Sequence, residues 1–128
     1  MDRASLRTVL YVDDEPDIRQ VVELSLGLVE GLHVHTCDSG EGALERIPSL
    51  RPDLVLLDVM MPGTDGPTTL GRMRADPDMS RIPVVFMTAK AMPQEVARFQ
   101  QLGAAGVIAK PFDPMQLGSQ VLALWEKL

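Results

Sequence analysis

A single cysteine, Cys37, stands among the 128 residues, so no internal disulfide framework is available. Aromatic side chains make up 4% of the chain, as three Phe, one Tyr and one Trp. That scarcity leaves no stacking platform for single-stranded nucleic acid. Lys and Arg number 12 against 18 Asp and Glu, a net charge of −6. Binding to a phosphate backbone runs on Lys and Arg neutralisation, which argues against an autonomous nucleic-acid binder. No apolar run approaches the roughly 20 residues that a membrane span needs. The opening Met1-Asp2-Arg3-Ala4-Ser5 lacks the apolar core of a signal peptide. What is present is 45% hydrophobic and 23% charged, an ordinary globular balance. The length fits one domain over residues 1–128, with no room for two. A soluble chain acting in the cytoplasm, with no membrane partner, is expected.

Five short apolar runs recur along the chain: Val9–Val12, His33–Cys37, Leu54–Leu57, Val84–Met87 and Val107–Ala109. The runs at 9, 54 and 84 are continuous and rich in Val and Leu, as strands buried on both faces should be. The second alternates polar and apolar residues, which suits an edge strand. His33 and His35 share one of its faces and read as edge-strand surface, not as a metal pair. Between the runs lie helical patterns. Residues 18, 21, 22, 28 and 29 form an apolar stripe behind Pro16. Ser39 can cap a helix carrying Ala43, Leu44 and Ile47, which Pro48 helps to end. Asp65 can cap a third helix carrying Leu70 and Met73. Pro93 opens a fourth, with Val96, Phe99 and Leu102 inward and Gly103 closing it. Asp113-Pro114 starts a fifth, with Leu117, Val121 and Leu124 inward. Cys37, Met61 and Trp125 read as packed side chains. Alternating strands and helices predict a parallel sheet covered on both faces by right-handed crossovers.

Four of the five strands run into a polar side chain. The first ends at Asp13-Asp14, the third at Asp58, the fourth at Thr88 and the fifth at Lys110. In open α/β sheets ligands bind outside the carboxyl ends of the strands, so these groups are expected to converge. Three close carboxylates repel one another unless a divalent cation joins them, and Mg²⁺ takes one or two carboxylates, keeps waters and recruits phosphate oxygens. A lysine there can bind a phosphoryl oxygen, and a carboxylate can itself be a phosphoryl acceptor.

The ordered set Val12-Asp13-Asp14-Glu15, Asp58-Val-Met-Met-Pro-Gly-Thr-Asp-Gly66, Thr88-Ala89 and Lys110-Pro111-Phe112 resembles the receiver domain of two-component response regulators, over essentially the whole chain. The resemblance implies a flavodoxin-like, doubly wound sheet of five parallel strands in the order 2-1-3-4-5. It implies that Asp58 accepts a phosphoryl group from a phosphohistidine on a sensor histidine kinase or histidine phosphotransfer protein. Asp13, Asp14, Asp58 and the backbone carbonyl of Met60 would hold Mg²⁺. Thr88 and Lys110 would bond the phosphoryl oxygens, and the Lys110-Pro111 bond would be cis. The output would be a downstream protein or output domain, read at the fourth helix, fifth strand and fifth helix. A monomer is expected, with a phosphorylation-dependent dimer as the alternative. The chain would be no enzyme towards an external substrate, catalysing only its own phosphorylation and dephosphorylation.

Other classes fit less well. A phosphate-independent interaction module on the same fold usually lacks an acid or the lysine, and all are present here. A nucleotide or flavin binder needs a Gly-rich or hydroxyl-rich loop after the first strand; here that loop is Asp-Asp-Glu-Pro. An aspartyl phosphatase carries a general acid two residues past its nucleophile, where Met60 stands. Two departures from the resembled pattern bear on output. Val107 occupies the position, three before the lysine, where many receivers carry a switching Tyr or Phe. Met60 and Lys90 stand where, in the resembled family, residues border the path of the hydrolytic water, and the resemblance implies that they tune the aspartyl-phosphate lifetime.

Overall fold

The three inner strands owe their position to composition. In the computed structural model, which describes residues 5–128, β1 (Thr8–Val12), β3 (Leu54–Asp58) and β4 (Val84–Thr88) are almost wholly buried. They are flanked by β2 (His33–Cys37) and β5 (Gly106–Ala109), giving a parallel sheet in the order β2-β1-β3-β4-β5. The half-polar β2 takes an edge, as its alternation predicted. Five helices follow the strands: α1 (Pro16–Gly27), α2 (Gly40–Leu50), α3 (Gly66–Ala75), α4 (Pro93–Gln101) and α5 (Leu117–Glu126).

Strand side chains alternate between two cores, one per face of the sheet. Leu10, Val12, Val55, Leu57, Val84 and Phe86 meet α2, α3 and α4 through Ile47, Leu70 and Phe99. Val9, Tyr11, Leu54, Leu56, Val85 and Met87 meet α1 and α5 through Val22, Leu26, Leu117, Val121 and Trp125. The register aligns the carboxyl ends: Val12 is level with Leu57, Asp58 with Met87, and Thr88 with Ala109.

The helix starts follow the sequence signals. Ser39 accepts the Gly42 amide at 3.0 Å, and Asp65 Oδ1 accepts the Thr68 amide at 2.8 Å. Several helix limits differ from the periodicity. α1 stops at Gly27, so Leu28 projects 75% exposed and Val21 also faces solvent. Its buried stripe is Val22, Ser25 and Leu26, because the Ser25 hydroxyl has a carbonyl partner at Pro114 that makes its burial tolerable. Pro48 lies within α2, which ends only where Arg51 turns left-handed at φ 50°. Leu102 is 45% exposed because it caps α4 from outside the last turn. Asp113 opens a turn, accepting the Met115 amide on its side chain, and α5 begins after it at Leu117.

One close approach ties α3 to the strand that carries Asp58. Gly66 donates its amide to Val59 O at 3.0 Å. A Cβ on Gly66 would lie 2.6 Å from Asp58 O and 2.9 Å from Val59 Cα, both backbone atoms. Gly71, in the same helix, has nothing within 4 Å of such a Cβ. Gly66→Ala is therefore expected to lower stability by about 1–3 kcal/mol, while Gly71→Ala raises it by about 0.5–1 kcal/mol. Urea unfolding of the two variants checks this; equal effects would mean that the start of α3 is not held against β3.

Candidate functional site

At the carboxyl ends of β1 and β3 the chain diverges, since β2 lies on one side of β1 and β3 on the other. Asp13 and Asp14 leave β1 there, and Asp58 is the last residue of β3. Carboxylate oxygens of Asp13, Asp14 and Asp58 all lie within 4.8 Å of one another. Asp13 is fully buried and Asp58 is 5% exposed, with Asp14 the more open to solvent. Lys110, one residue past β5, reaches back past β4 to Asp58 and past β3 to Asp13. Its Nζ donates to Asp13 Oδ2 at 2.8 Å and to Asp58 Oδ1 at 3.0 Å. The Lys110-Pro111 peptide is cis, as the sequence resemblance implied.

Asp13 is the most heavily bonded of the three. Its Oδ2 also accepts the Tyr11 hydroxyl at 2.6 Å, and its Oδ1 accepts the Glu15 amide at 3.0 Å. Arg19 in α1 donates to the Asp13 carbonyl at 2.8 Å, bracing the turn that presents both acids. Further along the β3–α3 loop, the Thr64 hydroxyl donates to Glu41 at 2.7 Å and joins that loop to the start of α2.

Burial raises the Asp58 pKa above the ordinary carboxylate value; the Lys110 hydrogen bond and charge oppose this, and Asp13 and Asp14 add to it. Burial also depresses Lys110, but its hydrogen bonds to Asp13 and Asp58 outweigh that and the net shift is upward. Burial, then the hydrogen bond and charge of Asp13, push the Tyr11 hydroxyl far above its usual range, so it remains a proton donor.

The structure thus brings Asp13, Asp14, Asp58 and Lys110 together. Thr88 ends the neighbouring strand, 4% exposed, and its Oγ1 accepts the Lys90 amide at 3.0 Å. Its carbonyl accepts the Lys110 amide at 2.8 Å, so β4 and β5 deliver Thr88 and Lys110 side by side. Met60 lies in the loop two residues past Asp58 with its side chain 78% exposed, and Lys90 is exposed as well. Val107 is part-buried against the α3–α4 side of the sheet. His33 and His35 lie on the β2 edge, apart from the acidic cluster. Sequence reasoning passed over Tyr11, Arg19 and Glu41. The usable signal for Tyr11 was its spacing of two from Asp13, which puts both on one face of the strand.

Three hard oxygen ligands at this spacing, with one fixed ammonium, suit a divalent cation such as Mg²⁺. Among the described residues no helix is long and apolar enough to cross a membrane.

A family model described as the response regulator receiver domain matches residues 9–122. The DNA-binding response regulator MtrA of Mycolicibacterium smegmatis is 37% identical over 115 residues, which are 90% of this chain and 49% of that protein. The probable transcriptional regulator ycf27 of Guillardia theta is 35% identical over 124 residues, 97% of this chain and 47% of its own length. The chain therefore spans about half the length of these curated relatives. Among solved structures, the chemotaxis response regulator CheY4 of Vibrio cholerae superposes with a TM-score of 0.85 at 29% identity, covering 94% of this chain and 99% of that one. A receiver protein's N-terminal domain from Methanoculleus marisnigri gives 0.76 at 40% identity, covering 91% and 94%. Phosphorylation-dependent switching is the general function of such domains, and they bind Mg²⁺ at an acidic cluster like the one at Asp13, Asp14 and Asp58. The sheet order, the clustered acids at its carboxyl edge and these matches agree: the chain belongs to the response regulator receiver domain family.

Proposed function

We propose that this domain is a switch set by phosphorylation of Asp58, with a phosphohistidine on a partner kinase or phosphotransfer protein as the donor. The observation that carries the reading is the Lys110 ammonium shared between Asp13 and Asp58 at the ends of β1 and β3. One oxygen of Asp58 is engaged by Lys110, and the other is the nucleophile. That oxygen attacks phosphorus, the P–N bond breaks, and its electron pair leaves with the donor imidazole. The Lys110 ammonium then moves its hydrogen bonds from Asp58 to a phosphoryl oxygen. Asp13, Asp14, Asp58 and the Met60 carbonyl would hold Mg²⁺. When bound, the ion supplies Lewis-acid charge for the phosphoryl oxygens.

Access for a donor is favoured on one side. Val21, Leu24, Leu28 and Met115 leave an apolar, solvent-facing strip along α1 and the start of the α5 segment. It continues through Ile18 and Phe112 to Ala89 and Lys110 at the site. A histidine-bearing partner seated there would approach Asp58 along this strip, past Glu15 and Lys110 at its inner end.

Readout falls on α4. The Thr88 hydroxyl would leave the Lys90 amide for a phosphoryl oxygen and draw the 88–92 loop inward. α4 is poised to follow, because Phe99 is its only buried side chain and its N-terminus lacks a side-chain cap. Phe99 meets Phe86 edge-to-face at 4.9 Å, a single anchor about which the helix can shift. Val107 beside it makes this a readout without a switching ring. The target is a downstream protein or an output domain, in a cytoplasmic setting. No turnover of an external substrate is part of the reading.

Incubation with Mg²⁺ and acetyl phosphate is expected to add one phosphoryl group by intact mass. Asp58→Asn should abolish it, and Lys110→Ala should slow it by about 100-fold. An adduct that survives in Asp58→Asn would overturn the assignment. Thr88→Ala should still form the adduct yet lose the amide shifts across residues 89–101 that phosphorylation causes in the wild type. Retained shifts would remove Thr88 from the readout.

The raised Asp58 pKa also gives a pH signature. The folded domain holds a proton on Asp58 more tightly than the unfolded chain does, so ionising Asp58 costs folding stability. That cost is absent below the ordinary carboxylate value of 3.8 and complete above the raised pKa. Metal-free Asp58→Asn should accordingly melt higher than wild type at pH 7, with the gap closing as pH falls. A gap that is reversed or independent of pH would contradict the charge balance described here.

A further inference from the structure

Tyr11 is the sole tyrosine of the chain, and it stands two residues before Asp13 on β1. We propose that Tyr11 is a positioning residue that sets the divalent-cation affinity of the acidic cluster by holding the Asp13 carboxylate from its buried side. The inference rests on the Mg²⁺ site proposed above.

Asp13 is the fully buried acid of the cluster, and three donors meet it. Tyr11 OH and Lys110 Nζ share Oδ2, at 2.6 and 2.8 Å, while the Glu15 amide meets Oδ1 at 3.0 Å. An ionised carboxylate offers about four lone-pair sites, so one direction stays open for a metal ion. The two side-chain donors differ in kind. Lys110 is a flexible stem whose ammonium also serves Asp58, and phosphorylation draws it away. Tyr11 is rigid, with two side-chain torsions, and its ring is fully buried in the core beneath α1 and α5. Its hydroxyl is therefore fixed by packing and stays on Oδ2 when Lys110 leaves. Without it, Asp13 would keep only the Glu15 amide and could turn its oxygens out of line with those of Asp14 and Asp58. A donor on a ligating carboxylate lowers its basicity slightly, but the loss of such supporting bonds typically costs about 10–100-fold in metal affinity.

The test is Mg²⁺ titration of the unphosphorylated full chain, followed by backbone amide shifts, in wild type and Tyr11→Phe. Thermal melts in EDTA establish that both are folded. The variant is expected to bind Mg²⁺ about 10–100-fold more weakly. Because the chain has one tyrosine, biosynthetic 3-fluorotyrosine labels that position alone. Its ¹⁹F resonance should move with Mg²⁺ along the same isotherm as the amides. Equal affinities in the two proteins, or a ¹⁹F signal that stays fixed while the amides of 13, 14 and 58 move, would overturn the role of Tyr11 and leave the metal site standing. A wild type that takes up no Mg²⁺ would overturn both. Should Tyr11→Phe fail to fold, the ¹⁹F titration of the labelled wild type decides alone.

Discussion

The ammonium of Lys110, 2.8 Å from Asp13 and 3.0 Å from Asp58, is the contact around which the rest of this domain is arranged. Three carboxylates at one sheet edge, two of them buried, repel one another at short range in a medium that screens poorly. One fixed cation offsets part of that repulsion, and the remainder is left for a metal ion and a phosphoryl group to resolve. The domain is thus built under electrostatic tension that its ligands relieve. The raised Asp58 pKa expresses the same tension in another form.

Holding that arrangement needs a rigid floor, and the two cores supply it. β1, β3 and β4 are packed on both faces, and their aligned register delivers Asp13 beside Asp58, with Thr88 one residue further along β4. Gly66 allows α3 to start hard against the β3 end, so Asp58 has little room to drift. α4, on the face shared with α2 and α3, is tied mainly at one end. The α4–β5 turn is fastened by Arg74, which donates to the carbonyls of Ser80, Ile82 and Gly103 at 3.2, 2.9 and 2.9 Å. The other end of α4 has no comparable tie. A helix fixed at its C-terminal turn and lightly anchored elsewhere is suited to swing with the Thr88 loop.

Much of this was legible in the residues. Unbroken Val and Leu runs marked the inner strands, and polar residues at four strand ends marked the site, because a parallel sheet gathers its carboxyl ends on one edge. Ser39 and Asp65 announced their helices, since a cap requires only local geometry. The misplaced features are tertiary in origin. Val21 and Leu28 looked like core on α1, but the early stop at Gly27 and the Ser25 hydroxyl turned another face inward. Leu102 continued the α4 period one step past the point where the helix ended. Tyr11 passed as an ordinary strand residue. Its hydroxyl acquires meaning only once Asp13 is known to be buried, because a buried carboxylate must find donors.

Beryllofluoride titration in the presence of Mg²⁺, followed by amide shifts, tests most directly whether the cluster is a paired metal and phosphoryl site. The expected result is saturable binding that requires Mg²⁺, shifts Asp58, Thr88 and Lys110 together, spreads into α4, and is lost in Asp58→Asn. Binding that is indifferent to Mg²⁺ or to Asp58, or an unmoved spectrum with Mg²⁺ bound, would contradict it and leave a receiver fold working without phosphate.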